Sequence, residues 1–493
     1  MSLFYFDNSY FKLPQIFFDS QFLTPVKAPK ILVLNSQLVD QLELNKSSEE
    51  FKKVTEIFSG NLLPKGAHSL ALAYAGHQFG NFVSQLGDGR ALLLGEHIDS
   101  KGNRYDIQLK GSGPSKFSRR GDGRSALGPA LREFLISEAL YYLGIPTTRT
   151  LGVVDTGETV QRETALPGGI STRVAKSHIR IGTFEYFANK NDFESLKILA
   201  DYAIERHFKV EIQNGENPYF QLIKKVCQLQ ASLISQWMGV GFIHGVMNTD
   251  NILISGETID FGPCAFMDVY DPDTVFSSID QSGRYSFGNQ PRVIQWNLAR
   301  FAECLLPLVD PDLRRSVEMV KPLIDDFDQT YEFYWRHIQN QKFGFDPSEK
   351  SHDSLIQQFY HLMYSCKADL TLSFRRLSQS LIDPTAFQFL LGSFAKELSS
   401  FQNWYGEWKK VVMLTNKSVL EKSNEMKRVN PCYIPRNHLV EEAIESAVYK
   451  KDLNHFFKLW EVLKTPFNEG VGFERYEKAP EKIDPHYRTY CGT

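Results

Sequence analysis

The chain has 493 residues, which corresponds to about three domain-sized units. Its 55 lysine and arginine residues nearly balance 58 aspartate and glutamate residues, so the net charge is −3. This balance argues against a dedicated nucleic-acid-binding protein, which would carry a basic excess, but it leaves room for a local basic site. Hydrophobic residues make up 42% of the chain, which excludes a wholly disordered protein.

The sequence carries no sign of membrane insertion or export. No run of 18 apolar residues is present, and the first residues lack the basic start and apolar core of a secretory signal. The cysteines are scattered without a CxxC pair, at positions 227, 264, 304, 366, 432 and 491. This spacing predicts neither a disulfide framework nor a structural zinc site. We therefore expect a cytoplasmic protein without membrane contact.

The first part of the chain has the alternation and the turns of a β-rich region. Residues 1 to 60 are punctuated by prolines and predict an irregular segment with one short helix. Strands are then predicted at 82–86, 91–96, 105–110, 150–154 and 160–163, and the first three are expected to form an antiparallel set. A glycine-rich loop at 111–128 leads into a helix that begins near Pro129 and ends near Gly144.

From residue 168 onward the patterns are mainly helical. An amphipathic helix is predicted at 220–237, and short strands at 252–254 and 258–259 are expected to form a tight hairpin. Further helices are predicted at 293–306, ending at Pro307, and at 312–340, with a break at Pro322. Helical patterns recur at 355–399 and 438–463, and the charged C-terminal residues are expected to form a surface tail.

The order of several motifs indicates a nucleotide-dependent transferase. Along the chain these motifs are a glycine turn at 87–89, a strand-ending lysine at 110, a helical glutamate at 133, HGVMNTDN at 244–251 and Asp-Phe-Gly at 260–262. Protein kinases have the same order: a glycine loop, a strand lysine, a helix glutamate, a catalytic loop with a metal-binding asparagine, and Asp-Phe-Gly. The set is specific, whereas any one of its motifs would be weak evidence.

Each part of this order has a chemical reason. Backbone amides of a glycine-rich turn can approach phosphate oxygens closely. Lys110 supplies a cation, and an ion pair with Glu133 would hold that cation in place. Asn251 and Asp260 offer the oxygen ligands that Mg²⁺ prefers. The sequence therefore predicts an ATP site that depends on a metal ion.

One departure from the kinase pattern concerns the catalytic base. The kinase loop has an aspartate two residues after its histidine, and this position is Val246 here. A carboxylate occurs instead at Asp250, next to Asn251. Ordinary phosphoryl transfer is therefore in doubt.

Positive charge is concentrated around the glycine-rich loop. Between residues 110 and 132 the single acid, Asp122, is accompanied by lysines and arginines at 110, 116, 119, 120, 124 and 132. Arg90, Arg173 and Arg180 add to this set, and guanidinium groups suit a triphosphate. We predict an enlarged cationic pocket whose arginines bind phosphate and contribute little to the stability of the nucleotide-free protein.

These segments resemble the selenoprotein O family. The resemblance covers residues 70 to 300 and extends weakly to NPCYIPRNH at 430–438. It is carried by YAGHQFGNFVSQLGDGRA (74–91), LKGSGPSKFSRRGDGRSALGPALREF (109–134), HGVMNTDN (244–251) and IDFGPCAFMDVYDP (259–272). Members of the family have a kinase-like fold, bind ATP in a flipped orientation and transfer AMP to protein hydroxyls. Such chemistry would fit Val246 and the additional arginines.

The resemblance also implies roles for single residues. It implies nucleotide contacts for Gly87, Gly89, Arg90, Lys110, Asp122, Gly123, Arg173, Arg180 and Asp260. Asp250 matches the family's proposed proton acceptor, Asn251 and Asp260 match its metal ligands, and Glu133 matches the partner of the lysine. Cys491 stands third from the end of this sequence, where eukaryotic members carry selenocysteine. A reversible disulfide between Cys491 and Cys264 is a further hypothesis.

The expected protein is a metal-dependent adenylyltransferase with a kinase-like, bilobal α+β fold. We expect a monomer that uses ATP with Mg²⁺ or Mn²⁺, modifies Ser, Thr or Tyr hydroxyls of target proteins and binds no nucleic acid. Two alternatives remain open: a kinase that transfers the γ-phosphate, and a non-catalytic nucleotide-binding scaffold. The predicted division is an N-terminal extension at 1–65, a β-rich lobe at 66–167, a helical lobe at 168–345, and a C-terminal helical extension with its tail at 346–493.

Overall fold

The structure is a computed structural model, and it describes residues 2–212, 216–346, 352–414, 417–482, 484 and 487–490. Most of its strands precede most of its helices. The strands are β1 Phe18–Ser20, β2 Lys30–Leu34, β3 Leu70–Leu72, β4 Gly76–Gln78, β5 Asn81–Val83, β6 Ala91–Ile98, β7 Arg104–Lys110, β8 Ser125–Ala126, β9 Arg149–Gln161, β10 Ala165–Ala175, β11 Phe242–Ile243 and β12 Ala265–Phe266.

The helices complete a mixed α and β architecture, so this part of the predicted fold class is confirmed. They are α1 Ser36–Gln41, α2 Val54–Phe58, α3 Leu127–Tyr142, α4 Ile181–Asn189, α5 Phe193–Ala203, α6 Pro218–Val240, α7 Gln290–Val309, α8 Leu313–Asp325, α9 Phe327–Phe343, α10 Asp353–Cys366, α11 Leu370–Gln379, α12 Pro384–Ser393, α13 Leu398–Val412, α14 Val419–Lys427, α15 Asn437–Tyr449, α16 Asn454–Leu463 and α17 Glu474–Glu477. None of the helices in the described residues is long and apolar enough to cross a bilayer.

The main sheet places three polar side chains on one face. Its strand order is β1-β3-β6-β7-β10-β9-β2, and β8 pairs with β10. Lys110 on β7 stands opposite Ser171 of β10, and Gln108 stands opposite Arg173. Side chains two positions apart along a strand share a face, so Lys110, Gln108 and Arg173 lie on the same side of the sheet.

Helix α3 covers that face and brings a carboxylate to it. It packs across β9 and β10, while α15 and α16 pack on its other side. Phe134 of α3 meets Trp460 of α16 edge-on, with ring centres 4.8 Å apart. Because α3 is covered on both sides, most of its residues are buried, including Glu133.

Helix α6 is the central helix of the second half and confirms the helix predicted at 220–237. Asn217 caps its first turn by accepting hydrogen bonds from the amides of Tyr219 and Phe220. Gly241 ends it with a φ of +74°, a left-handed conformation that favours glycine. The chain then passes through β11 into the loop 244–251. Two side chains of α7 bind this loop: Gln290 accepts from the His244 amide at 3.0 Å, and Asn297 donates to the Met247 carbonyl oxygen at 2.9 Å. The end of the loop packs on α4 and β4.

The strand predicted at 82–86 is wrong in its bounds and in its partner. The chain forms β5 at Asn81–Val83, and β5 pairs with β4 in a separate two-stranded ribbon. The neighbours of β6 are β3 and β7 instead. Alternation of apolar residues indicates an extended segment, but it does not indicate which strand that segment pairs with.

The hairpin predicted between 252 and 259 is also wrong. Leu253 bridges to Arg180, and Thr258 bridges to Thr147, so the two short segments bind distant parts of the chain and not each other. The ring of His244 helps to fix this segment, because its Nε2 atom lies 2.7 Å from the Ile259 carbonyl oxygen. Long-range contacts therefore set the path from Asn251 to Asp260.

Two predicted proline effects and the predicted tail need correction. Helix α7 continues through Pro307 to Val309, and the break expected at Pro322 occurs at Asp326, after α8. In the tail, Thr489 is buried and its amide donates to the Phe276 carbonyl oxygen at 2.8 Å, so this residue packs on the body of the protein. The four-part division at 1–65, 66–167, 168–345 and 346–493 stays a prediction.

Candidate active site

A cavity of about 440 Å³ lies where the main sheet, α3 and the loop after α6 meet. It is lined by most of the residues that the sequence singled out: Gly89, Arg90, Lys110, Glu133, Arg173, Arg180, Asp250, Asn251 and Asp260. A larger cavity of about 1510 Å³ lies between the segment 267–283 and the C-terminal residues, and none of these candidates lines it. We therefore assign the chemistry to the smaller cavity.

Lys110 and Glu133 form an ion pair between the sheet and α3. The Lys110 Nζ atom lies 2.7 Å from Glu133 Oε2. Arg173 donates to the other oxygen, Oε1, at 2.5 Å. Burial favours a higher pKa for Glu133, but Arg173 and Lys110 outweigh it and lower the pKa of this carboxyl. Glu133 is thus a buried carboxylate that holds two cations toward the cavity.

Asp260 is the common partner of three cations. Its Oδ1 atom lies 2.8 Å from Lys110 Nζ and 2.7 Å from Arg173. Its Oδ2 atom lies 2.8 Å from Arg180. Burial favours a higher pKa for Asp260, but the three cations hold the pKa of this carboxyl well below its usual range. The side chain is therefore ionised and is held in one orientation.

Arg180 connects the two aspartates of the cavity. It is buried at the start of α4. Its guanidinium donates to Asp260 and also to the backbone oxygen of Asp250. The centre of the Tyr74 ring lies 4.9 Å from the guanidinium carbon, within range of a cation–π contact. Arg180 therefore fixes the backbone of Asp250 relative to Asp260.

Asp250 is a buried carboxylate with few partners. Its Oδ1 atom has no hydrogen-bond partner among the described residues, and its Oδ2 atom lies 3.4 Å from Gln78 Nε2. Burial raises the pKa of Asp250 to about 7, although Arg180 opposes this shift. Val246 also lines the cavity and has no group that can accept a proton. Asp250 is therefore the cavity carboxylate best suited to accept one.

Asn251 and Asp260 have the chemistry of ligands for a hard metal ion. The Asn251 side chain donates from Nδ2 to the Val246 carbonyl oxygen at 2.9 Å, which leaves its amide oxygen available. Among the described residues, no three His, Cys, Asp or Glu side chains are grouped so that they could hold a metal by themselves. The pair fits an ion whose remaining ligands are phosphate and water oxygens, as is usual for Mg²⁺.

Close packing requires the glycines of the turn at 87–89, in addition to the close approach of phosphate that the sequence predicts. A Cβ atom on Gly87, which has a φ of +72°, would overlap the Phe117 ring. A Cβ atom on Gly89 would lie 2.9 Å from the Phe117 carbonyl oxygen. The glycines thus let the loop 111–124 pack directly on the turn, beside Arg90.

Three predicted nucleotide contacts lie away from the lining of the cavity. Gly87 does not line it, and neither do Asp122 and Gly123. Asp122 pairs with Arg162 at 3.0 Å, and Gly123 accepts a hydrogen bond from the Gly113 amide. Their roles with nucleotide stay predictions.

The predicted redox pair can be placed only in part. Cys491 lies outside the described residues. Cys264 is fully buried, its thiol donates to the Phe261 carbonyl oxygen at 3.1 Å, and burial raises the pKa of this thiol to about 12. Thr489 lies nearby, because its hydroxyl donates to the Pro263 carbonyl oxygen at 2.6 Å. The disulfide stays a prediction.

Arg119, which belongs to the predicted cationic set, also lines the cavity. The sequence-based candidates omit other lining residues, among them Tyr74, Gln78 and Asn248. Tyr74 and Gln78 belong to a segment whose family resemblance is visible in the sequence. Such a resemblance does not show which side chains face the cavity. Asn248 stands within HGVMNTDN, and its amide oxygen accepts a hydrogen bond from Tyr285 at 2.6 Å.

The segment between Asn251 and Asp260 contains another buried carboxylate, Glu257. It accepts hydrogen bonds from the Lys176 amide and the Ser255 hydroxyl, both at 2.9 Å. Burial raises its pKa from 4.5 to about 7. A folded-state pKa above the unfolded one contributes stability that is present below pH 4.5 and is lost as the pH rises to 7.

We therefore predict that the pH dependence of stability changes in Glu257→Gln. Relative to this variant, the parent protein should lose about 2 kcal/mol of unfolding free energy between pH 5 and pH 8. Urea unfolding of both proteins at the two pH values measures this difference. An equal difference at both pH values would contradict the raised pKa.

Comparison with known proteins agrees with the motifs of this cavity. A model of the family described as protein adenylyltransferase SelO matches residues 1–464. The protein nucleotidyltransferase YdiU of Agrobacterium fabrum is 49% identical over 491 residues, which are 99% of this chain and 99% of that protein. The proteins of the same name from Rhizobium meliloti and Shouchella clausii are 48% and 49% identical, covering 100% and 99% of this chain and 100% and 98% of their own lengths. These matches confirm the resemblance and the predicted class of enzyme, a nucleotidyltransferase. The chain belongs to the protein adenylyltransferase SelO family.

Proposed function

We propose that this chain transfers AMP from ATP to Ser, Thr or Tyr hydroxyls of target proteins. The main support for the proposal is the composition of the cavity. Lys110, Arg173 and Arg180 line it together with Asp250, whose carboxylate has an oxygen without a hydrogen-bond partner among the described residues. The hydroxyl oxygen would form a bond to the α-phosphorus of ATP. The bond from the α-phosphorus to the bridging oxygen would break, and pyrophosphate would leave.

The cations of the cavity would hold the phosphates. Lys110, Arg173 and Arg180 share the carboxylates of Asp260 and Glu133, so phosphate oxygens can replace some of these contacts and keep every cation paired. Guanidinium groups offer paired donors to phosphate and stabilise charge that develops on a leaving pyrophosphate. A flipped orientation of ATP, as the family resemblance implies, is part of this proposal.

Asn251 and Asp260 would hold Mg²⁺ or Mn²⁺. When bound, the ion would add positive charge beside the phosphate oxygens. The chain itself orients both ligands: three cations fix Asp260, and the Val246 carbonyl fixes the Asn251 amide.

Asp250 would accept the proton of the attacking hydroxyl. Its Oδ1 atom is free of other hydrogen bonds within the described residues, and Arg180 holds its backbone at the cavity. A positioned general base typically contributes about 10²-fold or more to the rate. We therefore expect Asp250→Asn to lower transfer by about 10²-fold while ATP still binds.

The same arrangement supports a kinase-like, bilobal fold. The Lys110–Glu133 pair joins a sheet strand to α3, and the loop after α6 supplies Asn251 ahead of Asp260. A lysine–glutamate ion pair, a metal-binding asparagine and an Asp-Phe-Gly aspartate are also the parts of a kinase active site, and this likeness supports the proposal. A monomer in the cytoplasm that binds no nucleic acid is likewise proposed from the sequence.

ATP labelled separately at the α and γ positions tests this function. AMP transfer predicts that the α label reaches the target protein and that pyrophosphate is released. A γ label on the target would instead show a kinase, and nucleotide binding with neither product would show a scaffold. Asp250→Asn is the negative control, and Asp325→Asn, which changes a surface aspartate paired with Lys321, is the matched positive control.

A further inference from the structure

The hairpin formed by β4 and β5, residues 76–83, is docked on the loop that carries Asp250. It stands apart from the main sheet. The His77 amide donates to the Thr249 hydroxyl oxygen at 2.7 Å, and the Phe79 amide donates to Asn248 Oδ1 at 3.1 Å. The hairpin backbone therefore binds the two residues that immediately precede Asp250.

Glu185 of α4 joins the hairpin and the loop from the other side. The His77 Nδ1 atom lies 2.5 Å from Glu185 Oε1, and the Thr249 hydroxyl donates to Glu185 Oε2 at 2.5 Å. The Glu185 side chain is 3% exposed, and burial raises its pKa. None of these three residues lines the nucleotide cavity. A buried carboxylate with both oxygens engaged thus fixes the position of His77 relative to Thr249.

Helix α4 gives this carboxylate a rigid support. Phe184, its neighbour in sequence, packs edge-on against Phe301 of α7 with ring centres 4.9 Å apart. The His77 ring packs edge-on against Trp296 of the same helix at 5.2 Å. Movement of Glu185 or of the His77 ring would therefore disturb the ring contacts with α7.

Gly76 places the hairpin backbone directly against the Asp250 carboxylate. A Cβ atom at this position would lie 2.5 Å from Asp250 Oδ1. The backbone of Gly76 does not have a positive φ, so close approach, and not an unusual conformation, requires the glycine here. Gln78 of the same hairpin lies 3.4 Å from Asp250 Oδ2. The hairpin therefore limits the orientations that the Asp250 side chain can adopt.

We propose that Gly76, His77, Glu185 and Thr249 form a positioning set that holds the Asp250 carboxylate in its reactive orientation. The inference rests on the proposed function, because it assigns these residues an effect only through Asp250. They are positioning residues and not catalytic residues, since none of the four lines the cavity of Asp250 and Asp260. A small displacement of a reacting group can lower a rate by up to about 10²-fold while binding is preserved.

Two substitutions disturb the set from different sides. Thr249→Val removes the hydroxyl but keeps the shape, and Thr249→Ser keeps the hydroxyl. Gly76→Ala introduces the Cβ atom against Asp250. We expect Thr249→Val and Gly76→Ala each to lower kcat for AMP transfer by about tenfold or more, with an ATP Kd within about twofold of the parent value. Thr249→Ser should restore kcat to within about twofold of the parent.

The chain offers matched controls for both changes. Gly406→Ala makes the same substitution on α13, where a Cβ atom would have no heavy atom within 4 Å apart from its chain neighbours and the local backbone of its own helix. Glu303→Gln removes a carboxylate that lines the same small surface pocket as His77 and Glu185 but pairs with Arg300 at 2.6 Å. Both variants should keep the parent kcat, whereas Glu185→Gln should behave like Thr249→Val.

A double-mutant cycle separates positioning from general destabilisation. If Gly76→Ala and Thr249→Val act through Asp250, they should have little further effect on kcat in the Asp250→Asn background. If instead Gly76→Ala or Thr249→Val lowers kcat by the same factor in the Asp250→Asn background as in the parent, the inference is overturned. Parent-like kcat in both Gly76→Ala and Thr249→Val would also overturn it. If Thr249→Val does not fold, Gly76→Ala and its cycle still decide the question.

The same measurements distinguish failure of the inference from failure of the proposed function. Full AMP transfer by Asp250→Asn would leave the transfer reaction intact but would reject Asp250 as the proton acceptor, and with it the positioning set. Absence of α-label transfer by the parent protein would reject the proposed function itself. A large loss in Asp250→Asn together with normal kcat in the positioning variants would leave the proposed function intact and reject only the positioning set.

Discussion

Replacing Asp260 with asparagine is expected to reduce AMP transfer by at least about 10³-fold. The substitution keeps the shape of the side chain but removes the negative charge that Lys110, Arg173 and Arg180 share, each within 2.8 Å. It also removes the carboxylate of the proposed metal ligand pair. Transfer is measured with α-labelled ATP, and ATP affinity is measured with and without Mg²⁺. The tightening of ATP binding by the metal should be lost.

Asp268→Asn is the matched control for this change. Asp268 is also a buried aspartate in an ion pair, 2.6 Å from Arg436, but it lines the larger cavity and not the cavity of Asp250 and Asp260. Its substitution should lower stability and leave the effect of Mg²⁺ on ATP binding unchanged. Near-normal transfer by Asp260→Asn at saturating Mg²⁺ would reject the assignment of Asp260.

The sequence predicts best the parts of the site that lie on regular elements. Lys110 ends a strand with a clear alternation, and Glu133 lies on a helix whose start is marked by Pro129. Each signal is local, and the order of the motifs indicates that the two residues should meet. In the structure their charged atoms lie 2.7 Å apart.

The contacts that orient Asp250 could not be predicted in this way. His77 and Thr249 are 172 positions apart, and no period or turn signal relates them. The paths of the hairpin 76–83 and of the segment 252–259 depend on bridges and hydrogen bonds to distant residues. Local patterns report extended or helical backbone, whereas these partners are chosen by packing of the whole chain.

The role of Arg173 shows the same limit. The sequence predicts a phosphate-binding arginine whose loss leaves the stability of the nucleotide-free protein nearly unchanged. In the structure Arg173 is 1% exposed and pairs with Glu133 at 2.5 Å and with Asp260 at 2.7 Å. Gln108 accepts a further hydrogen bond from it at 3.4 Å. This burial and pairing lead us to expect that the arginine supports the fold in the absence of nucleotide, contrary to the prediction from the sequence.

We accordingly expect Arg173→Ala to lower the free energy of unfolding by about 3–5 kcal/mol. The substitution removes one cation from Glu133 and Asp260, and these buried carboxylates then share only Lys110. ATP affinity should also fall by about tenfold or more, as for loss of a charge-assisted hydrogen bond. Urea unfolding without nucleotide measures the first effect.

Arg315→Ala is the control, because Arg315 belongs to an exposed pair with Asp312 and its loss should cost less than about 1 kcal/mol. Arg173→Ala could instead unfold at the same urea concentration as the parent and bind ATP weakly. That result would show that the buried ion pairs of Arg173 do not contribute to stability and that this arginine contributes only to ATP binding.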